Sequence, residues 1–152
     1  MSGRSGEFLL VRLGARRVGL PVDQVIAVAD YDELHPVPAR EPACRGLVTA
    51  RGRLVPLVSL ARLIGDPEPD RTGITAVLLE LGVRRVCLEV DDAEAVVRGD
   101  LLPVPPGESF PWASAVVRRD EGIVPVLNLA VLEQRLIQSG GEAWRPVTKS
   151  RS

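Results

Sequence analysis

Short apolar runs separated by glycine- or proline-bearing breaks recur along the whole chain. Phe8–Leu13 is rich in strand formers, Gly14-Ala15-Arg16-Arg17 interrupts it, and Val18–Val22 resumes the apolar pattern. Two such runs about a glycine-containing turn predict a β-hairpin. Pro21 stands late in the second run, where a missing N–H is tolerated at a strand end or sheet edge. Asp23 can cap a helical turn carrying Val25, Ile26 and Val28, although residues so β-branched serve equally well in a strand. Leu34–Pro42 contains Pro36, Pro38 and Pro42, which exclude regular helix and central strand and leave an extended crossing loop. Gly46–Ala50 then predicts a strand, Arg51-Gly52-Arg53 a tight turn, and Leu54–Val58 a strand. That last run is apolar on successive residues, so it must be covered on both faces. Ser59 is an N-cap for a short helix that turns Leu60, Leu63 and Ile64 to the core and ends at Gly65. Asp66–Thr72 has no apolar anchor and reads as a linker.

The same plan then returns. FLLVRLGARRVGLPVDQVIAV at Phe8–Val28 reappears as AVLLELGVRRVCLEVDDAEAV at Ala76–Val96, an offset of 68 residues. LVTARGRLVPLVSL at Leu47–Leu60 reappears as VVRRDEGIVPVLNL at Val116–Leu129, an offset of 69. A repeat of this length is a whole folding unit rather than a solenoid turn. The second unit has a hairpin from Thr75–Leu81 and Val86–Val90, a proline-rich crossing loop at Leu101–Pro111, and a hairpin from Ala115–Arg118 and Ile123–Leu127. Asn128 caps a final helix whose Leu129, Leu132 and Leu136 recur at helical spacing. Repeat units of about 8–65 and 74–136 thus each offer short strands and a terminal helix. Units of that size close best as small antiparallel barrels, which leave no exposed edge. Pattern alone draws two barrels with a helix each, side by side in one domain over 7–137, with 1–6 and 138–152 as flexible termini.

Composition narrows the function more than the fold. The chain has 152 residues and a formal net charge of −1 with acids and bases interspersed, which is no footprint for nucleic acid or a membrane surface. A domain of this size buries roughly 70% of its unfolded surface and needs no disulfide or metal. Phe8, Tyr31, Phe110, Trp112 and Trp144 are too few and scattered to stack a single strand of nucleic acid. No apolar run approaches the length of a membrane-spanning helix, and MSGRSGEF lacks the apolar centre of a secretory signal. Cys44 and Cys87 have neither metal nor redox spacing and read as reduced thiols. The expected compartment is the cytoplasm.

Candidate chemistry is sparse. His35 is the sole histidine, so histidine–cysteine, histidine–serine and multi-histidine metal sites are absent. No phosphate loop, dinucleotide fingerprint or nucleophile elbow occurs. Asp91-Asp92 with Glu94, and Asp30, Asp32 and Glu33, lack calcium-loop spacing and read as solvated acidic faces. Arg16-Arg17 and Arg84-Arg85 read as solvated hairpin tips. Arg51 differs from these, because its repeat counterpart is Asp120, an opposite charge at an equivalent place. The expectation is a protein without catalysis, cofactor or metal.

EFLLVRLGARRVGLPVDQVIAV, RGLVTARGRLVPLVSLARLIG and VCLEVDDAEAVV, in that order, resemble the CheW-like domain of bacterial chemosensory systems. The most specific segment is the middle one, with Gly46, the Arg51-Gly52 pair, the Leu54-Val55-Pro56 strand and a capped helix. The resemblance covers about Glu7 to Leu136. It implies a mainly β fold of two pseudo-symmetric, intertwined five-stranded SH3-like β-barrel subdomains with short helices. It further implies a non-catalytic adaptor coupling a CheA-type histidine kinase to methyl-accepting chemoreceptors. Its partners are then the kinase's regulatory domain, met by end-to-end barrel contact, and the receptor's cytoplasmic tip, docked in the groove between the barrels. Carried over by position, that receptor groove falls on Val25, Gly46, Arg51 and Ala93.

The chain departs from the family pattern at several places. Thr49-Ala50 precedes Arg51 where Asn-Leu is usual, Ser59 stands where Asp is favoured, and Ala27 replaces a frequent acidic partner of the arginine. These departures fit a divergent adaptor of a non-flagellar chemosensory pathway. A second reading, from another class, is a β-barrel module that binds a peptide or small ligand in the cleft between the units.

Overall fold

The computed structural model describes residues 4–38, 41–68, 72–108, 110–120 and 122–138. Among the described residues ten strands and two α-helices follow one another: β1 Arg4–Leu13, β2 Arg16–Pro21, β3 Val25–Tyr31, β4 Cys44–Ala50, β5 Arg53–Ser59, α1 Leu60–Ile64, β6 Ile74–Leu81, β7 Arg84–Val90, β8 Asp92–Leu101, β9 Ala113–Arg119, β10 Gly122–Leu127 and α2 Leu129–Gln138. They form two five-stranded sheets, ordered β8-β1-β2-β10-β9 and β3-β6-β7-β5-β4. The repeat offset maps one order onto the other, strand for strand. Neither repeat unit closes a barrel by itself, however. Each sheet draws strands from both units, which meet in antiparallel pairs, β1 with β8 and β3 with β6, and in short parallel pairs, Val126 with Gly19 in one sheet and Leu57 with Cys87 in the other. The expected intertwining is therefore an exchange of strands.

This exchange explains why the strands are apolar on successive residues. On β6 and β7, Ala76, Leu78 and Cys87 point into their own barrel, while Val77, Leu79, Val86 and Leu88 face a central core. The central core also takes Leu9, Val11 and Leu20 from the other sheet, and Leu60, Leu132 and Leu136 from the two helices. Strands covered on both faces lose the polar alternation that marks a one-sided sheet. The seam between the sheets is thus filled with the protein's own side chains.

The caps form as the sequence predicts. Ser59 Oγ accepts from the Arg62 N–H at 3.3 Å, and Gly65 closes α1 in the left-handed region at φ 84°. Asn128 Oδ1 accepts from the Ala130 N–H at 3.0 Å and opens α2. Three expectations change. Val25–Tyr31 is strand, preceded by a single 3-10 turn at Val22–Gln24. Residues 4–6, expected to be a loose terminus, belong to β1, with Arg4 opposite Leu101. The segment 92–101, where the residue pattern predicts no element, is the long edge strand β8. Of the terminus expected at 138–152, Gln138 ends α2 and the rest lies outside the described residues. Among the described residues no helix is long and apolar enough to cross a membrane.

Candidate functional site

Val25 opens β3 opposite Leu79, half-buried against the central core. Ala93, its repeat counterpart, lies on β8 opposite Val11 and packs on the same core. Both strands stand first in their sheets and both carry a register shift next to these residues. On β3 the shift falls between Val25 and Ala27, so that Val28 comes to face Val77. In the β1–β8 pair it falls between Leu10 and Val11, and Val96 faces Leu9. Leu79, Val77, Val11 and Leu9 all belong to the central core. A bulge resets the pleat by one residue, so Val25 with Val28, and Ala93 with Val96, share the side turned to that core. Val28 is 44% exposed and Val96 56%. Each of these two edge strands thus presents a short apolar strip, one valine exposed beside one residue packed on the core. Val28 and Val96 did not emerge from the residue pattern alone, although their own repeat relationship was a signal for them.

Gly46 and Arg51 are placed differently. Gly46 is buried on β4, at the end of its sheet order opposite β3. It sits at a register shift with φ 146°, and a Cβ there would lie 2.5 Å from the His35 carbonyl oxygen. The crossing loop passes over it, with His35 and Leu47 exchanging backbone hydrogen bonds of 2.8 and 2.9 Å. The same loop–strand bridge recurs between Leu102 and Val116. Gly46 therefore serves the backbone's close approach first. Arg51 is exposed at the turn between β4 and β5, with φ 53°, followed by Gly52 at 79°. Positive φ at both central residues is what a tight two-residue hairpin turn requires. The structure brings Val25 and Ala93 to one core and leaves Gly46 and Arg51 on another edge.

Several groups read as solvated are engaged. Arg17 Nε lies 2.7 Å from Glu94, and Arg16 Nε 2.7 Å from Asp66. Arg16 also stands over the rings of Phe110 and Trp112, 5.7 and 5.8 Å from their centroids. The Gly14 N–H donates to Asp91, and Arg12 lies 3.9 Å from both Asp91 and Glu94. The Arg17 hydrogen bond holds the Glu94 carboxyl below its usual range. These acids clamp the first hairpin to β8. Two further ion pairs join residues far apart in sequence: Arg45 with the fully buried Glu89, and Arg135 with the buried Glu41 at 2.8 Å.

His35 is a half-exposed loop residue 3.9 Å from Glu33. Burial pushes the Cys87 thiol up to about 11, against a weak bond to the Tyr31 hydroxyl, and burial also raises Cys44. Tyr31 in turn is pushed up to about 12 by burial and by Cys87. No grouping of metal-ligating side chains occurs among the described residues. A thiol of that kind is about one part in a thousand thiolate at pH 8, and the thiolate is the reactive species. Cys87 should resist a chromogenic disulfide reagent in the native protein and react fully only after denaturation. Rapid reaction of both thiols in the folded state would contradict this burial.

The family model for the CheW-like domain matches residues 7–136. The crystal structure of the scaffolding protein TtCheW from Thermoanaerobacter tengcongensis aligns with TM-score 0.76 at 17% identity, covering 96% of this chain and 99% of that one. The paired five-stranded sheets are thus a fold shared with that protein.

Proposed function

This chain belongs to the CheW-like domain family, a family of chemotaxis scaffolds, and from that premise we propose that it couples a CheA-type histidine kinase to the cytoplasmic tips of methyl-accepting chemoreceptors. The observation that carries the receptor side is the apolar strip on β3 and β8. Val25, Val28, Ala93 and Val96 leave the central core for the surface at two pseudo-symmetric places. Exposed β-branched residues gathered on sheet edges mark a protein-docking surface. A helical hairpin laid along such a strip buries its own apolar stripe, the helix-in-groove mode. Gly46 and Arg51, on the β4 edge, are a separate part of the proposed binding surface rather than of this strip. The protein works as a scaffold without a reaction or cofactor, recruited from the cytoplasm to receptor arrays. Its divergence at Ala27, Thr49-Ala50 and Ser59 fits a non-flagellar output.

The test is capture of a receptor tip fragment and a CheA-type regulatory domain by the full chain. Val25→Lys and Ala93→Lys should each weaken the receptor fragment at least about tenfold, the effect of a charge in the centre of an apolar interface. Each should leave the melting temperature within a few degrees, because a half-buried lysine can carry its ammonium to water. Arg51→Ala should weaken the ternary assembly while the protein stays folded. Undiminished receptor binding by a folded Val25→Lys protein would remove the strip from the account. A thermal shift with metabolites and no capture of either partner would favour the ligand-binding module instead.

A further inference from the structure

The hairpin tips at one end of the molecule enclose a cleft of about 310 Å³ between the β4–β5 and β6–β7 turns. Arg51, Arg53 and Arg85 line it, with Leu54, Pro56 and Val83 as its apolar part. Val83 is 97% exposed and Leu54 37%. Most arginines on this surface have carboxylate partners: Arg12, Arg16, Arg17, Arg45, Arg62, Arg98 and Arg135 are all in ion pairs. Arg51, Arg53 and Arg85 are not, nor are Arg118 and Arg119 near the end of β9, but only the first three converge on this cleft. Among the described residues no carboxylate stands within 4.0 Å of their guanidinium nitrogens, even though Glu80 lines the same cleft opposite Arg85 on β6.

The repeat supplies an internal control. The equivalent end of the other sheet has its own cleft, between the β1–β2 and β9–β10 tips, lined by Arg16, Arg17, Ile123 and Pro125. There the places of Arg51, Arg53 and Arg85 are taken by Asp120, Gly122 and Arg17, and Arg17 is neutralised by Glu94. The same fold element is built twice: one cleft is lined by three guanidinium groups, while at the other Asp120 and Gly122 replace two of them and Arg17 is paired, although Arg118 and Arg119 of β9 have no carboxylate partner there among the described residues. Folding therefore does not require the cluster. Arg51 also occupies a left-handed backbone position at φ 53°, which costs a side chain of this kind on the order of 1 kcal/mol. An arginine retained there against that preference serves something other than the turn.

We propose that this cleft docks an acidic protein segment, whose carboxylates meet Arg51, Arg53 and Arg85 while an apolar side chain between them covers Leu54 and Val83. Planar guanidinium forks match carboxylates bidentately, and exposed apolar side chains between them favour a segment over a free ion. The assignment goes beyond the receptor strip on β3 and β8, and of the residues carried over for receptor docking it uses only Arg51.

The test is NMR titration of the full, isotope-labelled chain at about 50 mM salt, where exposed charges are weakly screened. The probes are a capped peptide of sequence Glu-Asp-Leu-Asp-Glu, its Gln-Asn-Leu-Asn-Gln analogue, and inorganic pyrophosphate. The acidic peptide should shift the Nε–H signals of Arg51, Arg53 and Arg85 and the methyls of Leu54 and Val83, and bind at least about tenfold tighter than the amide analogue. The variant Arg51→Asn/Arg53→Ser/Arg85→Ser should lose this binding while keeping the parental spectrum elsewhere; asparagine tolerates the left-handed turn. Equal affinity for the two peptides, or shifts that map elsewhere, would overturn the proposal. So would pyrophosphate competing at equal affinity without moving the methyls, which would mark a small-anion site. Neither kinase nor receptor enters this assay, so its outcome is separate from that of the adaptor reading.

Discussion

Gly46→Ala should lower the melting temperature by about 5–15 °C. The added methyl carbon would lie 2.5 Å from the His35 carbonyl oxygen, and the backbone has φ 146°. Both obstacles are backbone obstacles, so no rotamer relieves them. Strain of this kind costs about 1–3 kcal/mol, and partial loss of the paired His35–Leu47 hydrogen bonds adds about 1 kcal/mol. For a chain of this length each kcal/mol is worth roughly 2–4 °C. Gly46→Asp adds a carboxyl group to the same collision and should be worse. Receptor-fragment binding by either variant should then fall in step with the folded fraction, measured by circular dichroism in the same samples. A Gly46→Asp protein with the parental melting curve and no receptor binding would return Gly46 to the docking surface itself.

That expectation marks where sequence reasoning reached and where it stopped. The hairpins, the caps at Ser59 and Asn128 and the αL stop at Gly65 were legible, because each is decided by neighbours within a turn. The repeat was legible too. What the repeat cannot say is which copy of a strand its partner pairs with, so the exchange between units was invisible. β8 escaped notice because Asp91, Asp92 and Glu94 look like a solvated face. The partners of Asp91 and Glu94, Arg12 and Arg17, belong to the other repeat unit. Val25 and Ala93 came from family resemblance, whereas Val28 and Val96 needed the register shifts. One displaced residue reverses which face a side chain takes, and no composition rule locates a bulge. Gly46 was legible as a special glycine, but its reason, the passing His35 carbonyl, lies in another segment.

Arg45→Ala should destabilise the protein by about 3–5 kcal/mol, the range for removing one partner of a buried ion pair. Arg45 Nη1 lies 2.6 and 2.7 Å from the two Glu89 oxygens, and Glu89 has no exposed surface. Arg45 is itself 29% exposed; if the pair behaved as a surface contact the loss would stay below about 1 kcal/mol. Denaturant unfolding of Arg45→Ala decides between the two. The double variant Arg45→Met/Glu89→Met should recover most of the loss, since apolar replacement of both members removes the buried ion pair altogether. The pair has no counterpart in the other sheet, where Ser114 and Pro21 hold the equivalent positions. It also spans the sheet order, reaching from β4 across β5 to β7. β4 is an edge strand that carries Gly46 and leads into the Arg51 turn. Without Arg45, that edge is held by β5 pairing and the crossing loop. Arg45→Ala should therefore weaken binding of the acidic peptide at the Arg51 cleft, although Arg45 does not line it, and the Met/Met variant should restore it together with stability. Recovery of stability without recovery of peptide binding would show that the Arg45 charge itself contributes to the cleft.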